Sequence, residues 1–184
     1  PANDALIALV KEVESGTKKR DWSAQQFHDL ILRRWALVNV DKDNSQQQIG
    51  IIGAGKVGLS FALLCHDRGL NVVVACRDFA KTKEALRSKA SQLSLNDNLK
   101  EVVRGSSIII LAVADTDISD VCKQISADLD RHTIVTHFAG ALDSQVLASA
   151  KKAGAQVAST HPLNTFPNLE AALAVLQNSD HNTA

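Results

Sequence analysis

A glycine-rich stretch, GIIGAGKVGLS at residues 50–60, constrains the fold of this chain more than any other feature. Gly53, Gly55 and Gly58 have the spacing G-x-G-x-x-G, which is weak evidence when it stands alone. Here an apolar run precedes the glycines, an amphipathic segment follows them, and a second apolar run, NVVVAC, comes next. This context predicts a strand, a tight turn and a helix whose first N–H groups face a phosphate.

From residue 48 onward, runs rich in Val and Ile alternate with helical segments. The alternation predicts an α/β fold, a doubly wound and mainly parallel sheet with helices on both faces. We expect strands near 48–53, 71–76, 107–113, 132–137 and 155–160, with a weak strand near 91–95. We expect helices near 56–68, 79–90, 97–104, 115–128 and 142–153.

The first 46 residues have a different pattern. Apolar residues at helical spacing between 6 and 13, and a capping box made by Ser23 and Gln26, predict two helices followed by a polar linker. We therefore divide the chain into a helical N-terminal extension with its linker, 1–46, and a dinucleotide-binding domain, 47–184.

Composition argues against several classes of protein. Lys plus Arg and Asp plus Glu both number 20, so the net charge gives no reason to expect nucleic acid or an anionic membrane as a partner. No apolar run reaches the ~18 residues of a transmembrane helix, and we expect no secretory signal. Three widely spaced cysteines without a C-x-x-C are typical of reduced thiols, so the expected location is cytoplasmic.

Each glycine of the loop has its own expected role. Gly53 permits the tight turn, Gly55 lets a pyrophosphate approach the backbone, and Gly58 lets the helix pack close to the strand. A glycine-rich turn without a ligand is the alternative. The expected cofactor-binding residues of the loop are Gly53, Ala54, Gly55, Lys56, Val57 and Gly58.

The end of the second strand distinguishes NADP from NAD. An acid there binds the ribose 2′-hydroxyl of NAD, whereas an arginine accommodates the 2′-phosphate of NADP. The strand ends in Cys76 and Arg77 follows, while Asp78 comes one residue late. Lys81 and Lys83 can add positive charge. We expect NADP rather than NAD, and a solvated surface arginine is the alternative for Arg77.

Small and polar residues follow the fourth predicted strand. In LAVADTD the expected cofactor contacts are Ala112, Val113, Ala114 and Asp115, since small side chains let a cofactor lie against the backbone. Asp115 has an equally good alternative as the cap of the next helix.

Two histidines end the fifth and sixth predicted strands, in THFAGALDS and STHPLNTF. Pro162 ends the sixth strand and keeps His161 extended at its tip. We expect His161 and His137 to handle a proton beside the nicotinamide, with a structural hydrogen bond as the alternative for each. A zinc site that adds His132 fits poorly, because His132 should start the strand that His137 ends, and we predict no metal.

Together, GIIGAGKVG, SIIILAVADTDI and THFAGALDSQVLASAKKAGAQVASTHPLNTF resemble a family of Rossmann-like NADP-binding proteins whose C-terminal helical domain has no known function. Prephenate dehydrogenase, pyrroline-5-carboxylate reductase and deazaflavin-dependent NADP oxidoreductase are relatives of that family. The resemblance covers about 48–184 and is most specific at 136–166. It implies a Rossmann fold, a phosphate loop at the three glycines, Arg77 at the 2′-phosphate and 112–115 beside the nicotinamide.

The resemblance also bears on activity. His161 and Pro162 look like the His-Pro element of prephenate dehydrogenases, where the histidine handles the hydroxyl proton of the substrate. The family commonly reads H-x-S-G-A where this chain has Ala139, which removes a hydroxyl. Relatives continue into a helical domain that closes the cleft and forms a dimer. We therefore expect a truncated chain, and a homodimer through that missing domain or through the N-terminal helices.

The expected function is that of an NADP-binding oxidoreductase that transfers hydride to or from a small oxo, hydroxy or imino acid. Its partner would be this small-molecule substrate, with no nucleic acid and no membrane. The first alternative is a non-catalytic dinucleotide-binding regulatory or sensor module, which Ala139 favours. The second is a folded cofactor module that is inactive without its substrate half.

The substitution His161→Asn tests the proton-handling role. Asparagine retains a polar side chain but transfers no proton, so turnover should fall roughly 10²–10⁴-fold while cofactor binding survives. Steady-state rates and cofactor affinity, measured in a form of the protein that turns over, give the comparison. Unchanged turnover would make His161 a structural residue.

Overall fold

Parallel strands form the centre of the structure, a computed structural model that describes residues 48–87 and 92–160. All described residues belong to one unit spanning 47–184. The described strands are β1 (Gln48–Ile52), β2 (Asn71–Ala75), β3 (Ser94–Asn96), β4 (Ile108–Leu111), β5 (Ile134–His137) and β6 (Gln156–Ser159). The described helices are α1 (Lys56–Asp67), α2 (Phe79–Leu86), α3 (Leu99–Gly105), α4 (Ile118–Ile125) and α5 (Ala148–Lys152). Short 3₁₀ segments lie at Asp115–Asp117, Ser126–Asp128 and Ser144–Leu147.

The strands are all parallel, in the order β3-β2-β1-β4-β5-β6. The chain builds the sheet outward from β1 in one direction and then crosses back to β4, so the strand order reverses between β1 and β4. The register aligns the last residues of all six strands, which are Asn96, Ala75, Ile52, Leu111, His137 and Ser159. The residues that follow these strands therefore meet along one carboxyl edge, where doubly wound sheets bind ligands at the reversal point.

Two apolar layers cover the sheet, one on each face. In β1, Ile51 belongs to the layer under α1 and α2, whereas Ile52 belongs to the layer under α3, α4 and α5. Because both faces are covered, the strands are continuous apolar runs, such as IIIL in β4. None of the described helices has the length and apolar character needed to cross a bilayer.

The predicted α/β fold is confirmed, and the described elements lie close to their predicted ranges. The fifth strand begins at Ile134 rather than at 132, because Asp130 makes a turn first. Its Oδ1 accepts hydrogen bonds from the backbone N–H groups of His132 (2.6 Å) and Thr133 (3.0 Å). The bond from His132 is also the main reason that the pKa of Asp130 lies below its ordinary value.

Two predicted helices are shorter than expected. The segment 115–128 is α-helical only at Ile118–Ile125 and has a 3₁₀ segment on each side. The segment 142–153 becomes α-helical only at Ala148. Before it, Asp143 caps a 3₁₀ segment by accepting a hydrogen bond from the backbone N–H of Gln145 (2.9 Å). The two helices predicted within 1–46 lie outside the described residues.

The buried thiol of Cys65 should make the free energy of unfolding depend on pH. Burial of this thiol in α1 raises its pKa from 9.0 to about 12, against the opposing effect of the Arg68 charge. Between those values the unfolded state loses a proton that the folded state keeps. The free energy of unfolding should therefore fall as pH rises above 9, by up to about 1.4 kcal/mol per pH unit from this group.

Denaturant unfolding at several pH values between about 8 and 11 measures this slope. The matched variant is Cys65→Ala, which lacks the titrating thiol and should lose stability less steeply over the same range. Equal slopes for the two proteins would contradict the assignment.

Candidate functional site

The turn between β1 and α1 requires glycine at its first position. Gly53 has a φ of +116°, in the region where side chains are strained. A β-carbon there would also lie 2.8 Å from the carbonyl carbon of Ala112, the residue that follows the neighbouring strand β4. The two strand ends are thus in direct backbone contact, and Ala112 donates its N–H to the carbonyl of Ile52 (2.8 Å).

The first turn of α1 requires glycine for a different reason. Gly58 is buried, and a β-carbon there would overlap the carbonyl oxygen of Gly53 and lie 3.1 Å from the β-carbon of Ala112. The helix therefore touches the strand end through its own backbone. The structure thus brings together the predicted site residues Gly53, Gly58 and Ala112, and the Val113 side chain also lies against Gly53.

Gly55 differs from its two neighbours, since nothing in the described protein requires a glycine there. It is exposed, its backbone is extended (φ −79°, ψ 179°), and no atom lies within 4 Å of a β-carbon built on it. Gly55 is also the N-cap of α1, gives no side-chain cap, and is followed by a first turn without acidic residues. This helix end can accept an anion close to its backbone. Lys56 beside it is exposed, and Ala54 and Val57 are partly exposed.

The end of β2 presents Arg77 to solvent. Cys76 before it is buried, and within the described residues Arg77 has no hydrogen bond and no ion pair. Asp78 is the N-cap of α2, where its Oδ1 accepts from the backbone N–H of Lys81 (2.9 Å). The carboxylate that would favour NAD therefore already accepts a hydrogen bond as the N-cap of α2. Lys83 lies with its Nζ 4.8 Å from the centroid of the Phe79 ring.

The loop after β4 lies at the same carboxyl edge of the sheet. Ala112 and Val113 are partly exposed, and Ala114 and Asp115 are exposed. The cap alternative for Asp115 is wrong, because Ala114 is the N-cap of the 3₁₀ segment and no side chain caps it. The helix α4 starts only at Ile118, and its N-cap Asp117 also makes no side-chain cap.

His137, the last residue of β5, is fully buried and has both ring nitrogens engaged. Its Nδ1 accepts from the backbone N–H of Ala139 (3.2 Å), and its Nε2 lies 3.1 Å from the carbonyl oxygen of Asp143. The side chain therefore closes the loop that follows β5. Ala139 belongs to the apolar core, so a hydroxyl there would lie among apolar side chains rather than at the edge of the sheet.

Thr160, which follows β6, is also hydrogen-bonded to His137. The backbone N–H and the hydroxyl of Thr160 both donate to the carbonyl of His137, at 3.0 and 3.1 Å. The hydroxyls of Thr136 and Thr160 lie 3.1 Å apart. His161 follows Thr160 in the sequence but lies outside the described residues.

Two of the three histidines of the poorly fitting zinc site, His132 and His137, lie within the described residues. His132 is exposed in the turn before β5, where its Nε2 accepts from Nε of Arg131 (3.1 Å). His137 is buried at the other end of the same strand. Within the described residues, no group of three or more His, Cys, Asp or Glu side chains could hold a metal ion.

Hydrogen bonds around the β5 loop are features that the sequence reasoning missed. Ser159 donates from its hydroxyl to the carbonyl of Leu142 (3.0 Å), and the Phe138 ring packs edge-on against Phe61 of α1, with centroids 5.0 Å apart. Asp143 was within reach of sequence reasoning, because an aspartate at the start of a helical segment is a common cap.

Comparison with known proteins agrees with this fold. Residues 36–162 match the family model of the Rossmann-like domain. The chain is 29% identical over 135 residues to pyrroline-5-carboxylate reductase 3 of Danio rerio, covering 71% of this chain and 44% of that protein. It is 27% identical over 111 residues to a glycerol-3-phosphate dehydrogenase (NAD(P)+) of Fusobacterium nucleatum, covering 54% and 33%. The chain thus spans less than half the length of these two relatives.

Among solved structures, prephenate dehydrogenase from A. aeolicus, in complex with hydroxyphenyl propionate and NAD+, has a TM-score of 0.54 at 16% identity. The match covers 67% of this chain and 45% of that one. At this identity the likeness concerns the fold alone. One relative is named for NAD(P)+ and one structure holds NAD+, so these comparisons leave the choice of dinucleotide open.

Two glycine substitutions should differ in their effect on stability. In Gly58→Ala the new methyl group overlaps the Gly53 carbonyl, and stability should fall by about 1–3 kcal/mol. In Gly55→Ala the methyl group meets open space. Alanine reduces the freedom of the unfolded chain, which raises stability, and it is a poorer N-cap than glycine, which lowers stability. The free energy of unfolding should therefore stay within about 1 kcal/mol of that of the unsubstituted chain.

Thermal or denaturant unfolding of both variants, together with titration by NADPH, measures the contrast. We expect Gly55→Ala to fold normally and to bind NADPH more weakly, because the methyl group stands where a pyrophosphate would approach. A Gly55→Ala protein that binds NADPH as tightly as the unsubstituted chain would exclude a phosphate from this turn.

Proposed function

This chain belongs to the Rossmann-like domain family, and on that premise we propose that it is an NADP-binding oxidoreductase. The proposed reaction is hydride transfer to or from a small oxo, hydroxy or imino acid. One observation carries the proposal: Gly53 and Gly58 are required by packing, whereas Gly55 leaves open space at a helix N-terminus. The relatives named as a reductase and a dehydrogenase support the reaction class.

The residues present fit the pyrophosphate of a dinucleotide. The first turn of α1 offers N–H groups and a partial positive charge, and Gly55 has no side chain that would keep a phosphate away. Ala112 and Ala114 lie at the strand reversal beside it and leave room for the rest of the cofactor. The proposed contacts are Gly53, Ala54, Gly55, Lys56, Val57, Gly58, Arg77, Ala112, Val113, Ala114 and Asp115.

Two neighbouring residues support NADP over NAD. Arg77 is exposed and makes no ion pair with any described residue, so its guanidinium is available to a phosphate. Asp78, the acid that could bind a 2′-hydroxyl, already accepts a hydrogen bond from the backbone of α2. Arg77 therefore offers a positive charge to a 2′-phosphate, next to the negative charge that Asp78 keeps while it caps α2.

Proton handling is assigned to His161 in this proposal. A bound nicotinamide supplies hydride chemistry, and a proton on oxygen or nitrogen must move with it. His137 has both ring nitrogens bonded to backbone groups, so it is the weaker candidate. His161 follows Thr160, whose N–H is bonded to the last carbonyl of β5.

Substrate and assembly are part of the same proposal. The resemblance to prephenate dehydrogenase and pyrroline-5-carboxylate reductase implies a small-molecule substrate and a homodimer. We propose that a helical domain like that of the relatives shapes the pocket and forms the dimer.

A non-catalytic regulatory or sensor module is the second candidate, and one observation favours it. Within the described residues, the only histidine at the carboxyl edge is buried and fully hydrogen-bonded. NADPH binding without oxidation by any of a panel of 2-oxo and imino acids would support this function. Turnover of any member would support the oxidoreductase.

Arg77→Ala tests the choice of cofactor. The unsubstituted chain should bind NADPH more tightly than NADH, and the variant should lose affinity for NADPH alone. A charge-assisted contact to phosphate is worth on the order of 1–3 kcal/mol, which corresponds to roughly 5–150-fold in dissociation constant. Fluorescence titration with both cofactors measures the change.

The matched control is Arg131→Ala, which removes an exposed arginine before β5, at the opposite edge of the sheet. It should leave both affinities unchanged apart from a small effect of net charge. Equal affinities of the unsubstituted chain for NADPH and NADH would overturn the role given to Arg77.

A further inference from the structure

We propose that His137 is a positioning residue beside the cofactor site: its neutral imidazole fixes the loop 138–143, and its backbone carbonyl holds the end of β6. The role deepens the proposed function and rests on it, because what His137 positions is the chain that enters His161. Its local chemistry can be tested without cofactor or substrate.

The hydrogen bonds of the ring select one tautomer. A backbone N–H can only donate, so the Nδ1 that receives the Ala139 N–H (3.2 Å) must carry a lone pair. A carbonyl can only accept, so the Nε2 that lies 3.1 Å from the Asp143 oxygen must carry the hydrogen. A proton added at Nδ1 would face another N–H inside the protein. The bonding therefore requires the neutral Nε2–H form.

These two bonds close a loop of six residues onto its own strand. His137 is bonded at one ring nitrogen to a residue two positions later and at the other to a residue six positions later. Phe138 packs against Phe61 at an interplanar angle of 65°. Since Phe61 lies on α1, the loop is anchored both to its strand and to the helix that begins at the glycine turn.

The backbone of His137 connects the loop to β6. Its carbonyl accepts both the N–H and the hydroxyl of Thr160. Ser159 adds a second link, donating from its hydroxyl to the Leu142 carbonyl in the loop. His137 thus joins the loop to the residue that precedes His161, and its neighbour Phe138 joins the loop to the glycine-turn helix.

A spectroscopic measurement tests the tautomer directly. The 184-residue chain is labelled with ¹⁵N-histidine, and imidazole shifts are recorded at neutral pH without ligand. We expect one ring with a protonated Nε2 and a bare Nδ1, whose signals disappear in His137→Asn. An Nδ1–H tautomer or an imidazolium assigned to His137 would overturn the proposal.

Three variants of His137 separate positioning from proton transfer. His137→Asn retains an acceptor near the position of Nδ1, His137→Gln retains a donor near the position of Nε2, and His137→Leu retains only bulk. Hydrogen exchange at the Ala139 amide should quicken roughly 10–100-fold in the Leu variant, as expected when a buried partner is lost. The Thr160 amide, whose partner is the backbone carbonyl of residue 137, should change less. The Asn variant should restore Ala139 to within about threefold of the unsubstituted chain. Equal exchange at Ala139 in the Asn and Leu variants would contradict the positioning role.

Turnover provides the last comparison, in any form of the protein that reduces a 2-oxo or imino acid with NADPH. A positioning residue predicts that the better of the Asn and Gln variants loses no more than about tenfold and keeps the pH–rate profile. A proton-transferring His137 predicts that both lose roughly 10²–10⁴-fold and that one limb of the profile disappears. If NADPH does not bind, the proposed function fails, while the tautomer and exchange results still decide the role of His137.

Discussion

The structure depends on one backbone contact, in which the first turn of α1 rests against the end of β1. Gly58 leaves room for the carbonyl of Gly53, and both lie against Ala112 at the end of β4. This contact brings a helix N-terminus to the point where the strand order reverses. A side chain at Gly58 would push the helix away from the sheet, and one at Gly53 would collide with the backbone of Ala112.

Polar groups along the carboxyl edge divide into those bonded within the protein and those left to solvent. Asp78 caps α2, and both ring nitrogens of His137 are bonded to its loop. The N-terminus of α1 and Arg77 face solvent. The helix end carries a partial positive charge, and Arg77 carries a full one. These two groups favour an anion near the strand reversal, although the carboxylates of Asp78, Asp115 and Asp117 are exposed at the same edge and the net charge of the whole chain is zero.

Much of the fold could be predicted from the sequence, because apolar periodicity and glycine spacing depend on neighbouring residues. Element ends were less predictable: the delayed start of β5 comes from Asp130, whose bonds depend on a local turn. The surroundings of His137 were beyond sequence reasoning. Whether a strand-end side chain faces solvent or the interior depends on how the following loop returns. That loop is held by Asp143 and by Phe61 on a distant helix.

The central position of β1 has a consequence for biosynthesis. β1 pairs with β2 soon after both are made, but its other edge waits for β4, where Ile49 pairs with Ile108. During that interval an Ile-rich strand has an unpaired edge, which is a template for association with other chains. Such long-range parallel pairing also slows folding, since the loop must close before the contacts form. The nascent chain therefore carries this unpaired edge while residues 53–107 are being synthesised, before the site at the strand reversal exists.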